Sequence, residues 1–135
     1  MIGYGPMDAI TLDPDEGTRY ATARREARDA VLLARDAAAA AVLDGDVSRV
    51  EVAKMAGVHE NTVYDWVARG DSAASFQGDE LKGILDRRAE TARVLDEAAE
   101  RARAYAREQH ARGASLTALA GLFGVSRVTM GKWVD

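Results

Sequence analysis

Apolar residues along this chain recur with the period of a helix and nowhere with the alternation of a strand. One stripe runs through Tyr20, Ala23, Ala27, Val31, Ala34, Ala38 and Ala41. A second runs through Leu81, Leu85, Ala92, Leu95, Ala99, Ala102 and Ala106. Steps of three and four residues place such a row on one helix face. Asp13-Pro14-Asp15-Glu16 marks the first helix start: Asp13 can cap it, proline suits the first helical position, and Glu16 completes a capping-box-like pattern. Asp44-Gly45-Asp46 marks its end, because glycine accepts the left-handed conformation that closes a helix. The second helix is expected to start after Asp79 and end near Gly113, with Gly83 as a candidate early break.

Each long stripe is followed by a shorter block. Residues 48–67 read SRVEVAKMAGVHENTVYDWV and residues 115–134 read SLTALAGLFGVSRVTMGKWV. At a shift of 67 positions, Ser48, Ala53, Gly57, Val58, Thr62, Trp66 and Val67 fall on Ser115, Ala120, Gly124, Val125, Thr129, Trp133 and Val134. Each block predicts a helix, a tight glycine turn and a second helix, the arrangement that places a helix in the DNA major groove. The expected fold is all-α: two tandem helix-turn-helix units, each preceded by a long Ala-rich helix. The expected organisation is a tail over 1–12, a first DNA-binding domain over 13–70, a linker over 71–78 and a second DNA-binding domain over 79–135.

Within each block the apolar positions are structural. Val52, Ala53, Ala56, Val58, Val63 and Trp66 form the inner face of the first block. Leu119, Ala120, Phe123, Val125, Met130 and Trp133 form that of the second. Gly57 and Gly124 occupy the turn, where a positive φ is needed. Ser126 suits the N-cap of the last helix, and His59 holds the matching place as a poorer cap.

The outward positions are the candidates for reading bases. In the first block they are His59, Glu60, Asn61, Tyr64 and Asp65; in the second, Ser126, Arg127, Val128 and Lys132, with Gly131 between them. Asn61 can pair in bidentate fashion with adenine, Glu60 can accept from the cytosine amino group, Arg127 can pair with guanine, and Val128 can touch a thymine methyl. Glu60 and Asp65 also read as solvated acids that repel phosphate. Candidates for the DNA backbone are Ser48, Arg49, Lys54, Thr62, Arg69, Ser115, Thr117 and Thr129, which would fix register without reading sequence.

Composition changes this picture in three places. A net charge of −4 argues against nucleic acid, but between Arg101 and Val134 six basic residues face one acid, Glu108, a local net of +5. Local charge decides whether a face attracts phosphate. The second block is thus the expected electrostatic anchor. With no cysteine there is neither disulfide nor thiolate metal site, and with two histidines a metal centre is not expected. No nucleotide-binding glycine loop, nucleophile elbow or ligand cluster is visible, so no catalytic residue, cofactor, metal or small-molecule ligand is expected. The amino terminus lacks a secretory pattern and the longest apolar run, Ala37 to Leu43, is too short for a membrane span. A cytoplasmic, nucleoid-associated protein is expected.

The two unlike reading faces lead to a specific expectation. One chain carries both heads, so a monomer would read an asymmetric, bipartite double-stranded DNA operator, with half-site centres about one helical turn apart if both heads share one DNA face. The alternative is a dimer through the Ala-rich helices. The two blocks and the Arg/Ala-rich composition resemble the immunity repressors of temperate actinobacteriophages. That resemblance spans most of the chain. It implies transcriptional repression by promoter occlusion and maintenance of lysogeny. The second block also resembles the DNA-binding ends of recombinases and transposases, whose catalytic domain has no counterpart here. Two other readings stay open: a packaging or recombination accessory protein of the small-terminase kind, and a protein-interaction module on a helix-turn-helix frame.

Overall fold

A computed structural model describes residues 10–71 and 80–135. The described residues form six α-helices and no strand: α1 (Pro14–Leu43), α2 (Arg49–Ala56), α3 (Glu60–Arg69), α4 (Glu80–Ala111), α5 (Leu116–Phe123) and α6 (Arg127–Val134). The all-α class therefore holds. Gly83 does not interrupt α4. Most of the expected linker, from residue 72 onward, and residues 1–9 of the expected tail lie outside the described residues. Ile10 and Leu12 are not tail-like: both are half-buried against a core.

The chain divides into two compact units along a line that the sequence blocks do not suggest. One unit is Arg25–Val94; the other is Leu95–Asp135 together with the chain up to Arg24. Each long helix thus contributes one part to each unit, where the expected boundaries assigned each helix to a single unit. The physical reason is that a helix pair of two short elements cannot bury its own apolar face. Each pair draws on a segment of both long helices to close its core.

In the central unit, Ala34, Ala37 and Ala38 of α1 pack with Val52, Ala53 and Ala56 of α2, Val63 and Trp66 of α3, and Leu81 and Leu85 of α4. Alanine permits close approach here. Gly70, just after α3, lies so near α1 that an added Cβ would stand 2.5 Å from the Arg35 carbonyl oxygen and 2.8 Å from the Ala39 Cβ. The α1 stripe passes through Ala30 and not Val31, which is exposed. The sequence 27, 30, 34 keeps the helical period as well as 27, 31, 34 does.

In the terminal unit, the core is aromatic. Tyr20 of α1 meets the Phe123 ring edge-on at 5.9 Å and the Trp133 ring at 5.3 Å, and Phe123 lies 5.6 Å from Trp133. Each such pair contributes about 0.5–1.5 kcal/mol beyond its buried area. Leu119, Met130, Ala102, Ala106 and Ala114 complete the cluster.

The start of α1 differs from the capping box expected. Asp13 does accept from the Asp15 amide at 2.9 Å. Glu16 turns away to Arg101 of α4, and the Asp13 amide donates to the Tyr105 hydroxyl at 2.8 Å. A long-range ion pair replaces the local bond.

Candidate nucleic-acid interface

The two short helix pairs repeat one another in backbone as well as in sequence. α2 and α5 are eight residues each, and both start after a serine N-cap. Ser48 accepts from the Glu51 amide at 3.1 Å and Ser115 from the Ala118 amide at 3.0 Å. Both helices end on a left-handed glycine, Gly57 at φ 69°, ψ 34° and Gly124 at φ 66°, ψ 32°. The next amide then reaches back over the turn: Val58 donates to the Ala53 carbonyl and Val125 to the Ala120 carbonyl, each at 3.1 Å. The Gly57 and Gly124 amides donate to the same two carbonyls, so each carbonyl takes two bonds and both amides of the turn are satisfied. Val52, Ala53, Ala56, Val63 and Trp66 are buried in one pair, and Leu119, Ala120, Phe123, Met130 and Trp133 in the other.

The second helix of each pair carries the outward residues. In the central unit, His59, Glu60, Asn61, Tyr64 and Asp65 are all exposed around the start of α3. His59 caps α3: its Nδ1 accepts from the Asn61 amide at 3.1 Å. The imidazole meets the second amide of its helix, whereas Ser48 and Ser126 each meet the third. Asp65 binds Arg69 at 2.8 Å one turn along α3. The acid and the cation neutralise one another on this face.

In the terminal unit, Ser126, Arg127, Val128 and Lys132 are exposed around α6, and Val128 reaches 72% exposure. Arg127 and Lys132 form no ion pair among the described residues. Ser126 caps α6 by accepting from the Thr129 amide at 3.0 Å, and its hydroxyl also meets the Thr129 hydroxyl at 3.0 Å. Thr129 is half-buried, so this hydroxyl is engaged in the cap. Ser48 and Ser115 are exposed but hold caps. Arg49 lies over the Tyr64 ring. Lys54, Thr62 and Thr117 are exposed.

Three side chains that fasten these helices escaped the sequence reading. Arg88 of α4 donates to the Ala56 carbonyl at 3.3 Å and lies 5.7 Å from the Trp66 ring centroid. Arg107 of α4 donates to the Trp133 carbonyl at 2.8 Å and so secures the end of α6. His110 bonds the Ala114 carbonyl at 2.9 Å, just before the α5 cap. Each acts on a backbone group distant in the chain or past a helix end, and no local pattern marks such a contact.

Electrostatics sharpens one cap. Hydrogen bonds from the Ser48 backbone amide and hydroxyl, with Lys54 nearby, hold the Glu51 carboxyl below its ordinary value. Glu51 accepts from the Ser48 amide at 3.0 Å, completing a capping box. Among the described residues no group of three or more histidines or acids is placed to hold a metal ion. No described helix is long and apolar enough to cross a membrane. Neither a protein-family model, a curated protein nor a solved structure matches this chain.

Proposed function

We propose that the chain is a sequence-specific double-stranded DNA-binding repressor that works through two helix-turn-helix heads, one in each unit. α3 and α6 are the recognition helices, and α2 and α5 brace them against the phosphate backbone. The observation that carries this reading is the pairing of a repeated frame with unlike outward residues. The caps, the glycine turn and the buried positions match at a shift of 67 residues. The exposed side chains that follow the turn do not: His59, Glu60, Asn61, Tyr64 and Asp65 stand against Ser126, Arg127, Val128 and Lys132. The same positions are buried in both pairs, although Val52, Ala56 and Val63 give way to Leu119, Phe123 and Met130, while the exposed positions change in charge and hydrogen-bonding type, as two heads that read different sites require.

Two different reading helices call for two different half-sites, so a monomer would recognise an asymmetric operator. Arg127 is matched to guanine, Asn61 to adenine and Glu60 to cytosine by their donor and acceptor patterns. Repression by occupying a promoter needs binding alone. The resemblance to actinobacteriophage immunity repressors agrees with this mode of action.

Selection of bound duplexes from a random DNA pool with the full chain, followed by sequencing, tests the proposal. A bipartite, non-palindromic consensus whose affinity falls steeply with salt is expected. Absence of enrichment at low salt would overturn it.

A further inference from the structure

Arg49 opens α2, and Tyr64 lies on the exposed side of α3. The guanidinium carbon of Arg49 stands 4.8 Å from the centroid of the Tyr64 ring, inside the range of about 6 Å over which a cation is drawn to a ring face. Tyr64 is 54% exposed. Arg49 is half-buried, and its Nε is buried without a hydrogen-bond partner. At the matching positions of the second pair stand Leu116 and Gly131, neither a cation nor a ring. The stack is therefore no part of the frame that the two pairs share.

The charges around it narrow what it does. The first pair, from Ser48 to Gly70, has three cations: Arg49, Lys54 and Arg69. Arg69 is bound to Asp65. Arg49 has no carboxylate within ion-pair range among the described residues. A guanidinium resting on a ring loses water from one face and gives up much of its rotational freedom in advance. Its remaining N–H edge stays able to grip a phosphate with two parallel bonds.

We propose that Tyr64 is a shelf that positions Arg49 for one backbone phosphate of the nucleic acid, and is not itself a reader of bases. This rests on the DNA-binding reading above and assigns to that reading a positioning residue in its first head.

The test is the affinity and base preference of the full chain for its selected duplex across a salt series, in wild type, Tyr64→Phe, Tyr64→Leu, Arg49→Ala and the Arg49→Ala/Tyr64→Leu double variant. Helical circular dichroism checks the fold, which an exposed ring should not disturb. Tyr64→Phe should bind like wild type, because the ring is kept. Tyr64→Leu should bind about two- to five-fold more weakly, the worth of an exposed cation–π contact, with base preference unchanged. Arg49→Ala should lower the salt slope by about one. In that background Tyr64→Leu should have no further effect. A changed base preference in Tyr64→Leu, a Tyr64→Phe as weak as Tyr64→Leu, or a full Tyr64→Leu effect without Arg49 each overturns the shelf while leaving DNA binding intact. Lack of salt-dependent duplex binding by the wild type overturns both readings together.

Discussion

Arg101 of α4 donates from Nε to both carboxylate oxygens of Glu16 of α1, at 3.2 and 3.0 Å. The Glu16 side chain is only 10% exposed, against 55% for Arg101, and the other cation near it, Arg19, stands at 4.0 Å. With the Asp13–Tyr105 bond, this pair fastens the first turn of α1 to α4. Arg101→Ala would leave a nearly buried carboxylate with one distant partner. It should destabilise the protein, because the acceptor stays behind with its charge. Glu16→Gln, which removes the charge but keeps an acceptor, should cost less. Urea denaturation of the two variants and their combination measures the coupling. Additive losses would mean that the two side chains do not stabilise one another.

Two glycines inside long helices should respond to alanine in opposite directions. An added Cβ on Gly17 would collide with the Leu122 backbone carbonyl of the α5 segment. Backbone cannot rotate away, so Gly17→Ala should cost about 1–3 kcal/mol, as overpacking does. Gly83 of α4 has nothing within 4 Å of such an atom. Gly83 lies in the first turn of α4, and Gly83→Ala should gain about 0.4–1 kcal/mol by reducing the freedom of the unfolded chain. The comparison of the two thermal midpoints decides it; a stabilising Gly17→Ala would refute the close approach of α1 to α5.

These glycines also show where sequence is legible. Gly57 and Gly124 sit between two amphipathic segments, and their positive φ follows from that place in the chain. The inner faces of both helix pairs follow from periodicity in the same way, and the cap at Ser126 from its residue type, whereas Ser48 and Ser115, read as backbone contacts, are caps as well. Gly17 looks like a flaw in a helix until the partner that it makes room for is known. Glu16 reads as a local cap and is in fact bound to a residue 85 positions away. The division of the chain was hidden for the same reason: nothing in a continuous helical stripe marks the point at which it leaves one core for another. Among the candidate contact residues, exposure follows from the helical period, whereas the pairings of Arg49 with Tyr64 and of Asp65 with Arg69 depend on side-chain reach.

The α2 capping box should give stability a local pH dependence. Bonds from Ser48 lower the Glu51 carboxyl pKa in the folded chain. A lowered folded value means stabilisation that is present above the unfolded carboxyl value and lost as pH falls through the folded one. Glu51→Gln keeps an acceptor for the Ser48 amide and cannot titrate. Wild type should therefore exceed Glu51→Gln in thermal stability at neutral pH, and the gap should close on acidification below the ordinary carboxylate range. A gap that is constant from neutral to strongly acidic pH would show that the ionised form has no special role in the cap. Ser48→Ala, which removes the side-chain acceptor, should cost about 1 kcal/mol.

Arg127 and Lys54 separate reading from holding. Arg127 is the first residue of α6, exposed and without an ion pair among the described residues, beside the highly exposed Val128. If α6 enters the major groove, its first turn meets base edges, and a guanidinium there is matched to guanine. Arg127→Ala should then cost about 1–3 kcal/mol of binding on the selected duplex and relax the preference at one base position. Lys54 lies on α2, which would face the backbone. Lys54→Ala should weaken binding to all duplexes alike and lower the salt slope by about one. Parallel binding curves on the selected duplex and on single-base variants of it distinguish the two effects. Equal losses on every duplex for Arg127→Ala would make it a phosphate contact, and the base-reading role of α6 would then rest on Val128 and Lys132 alone.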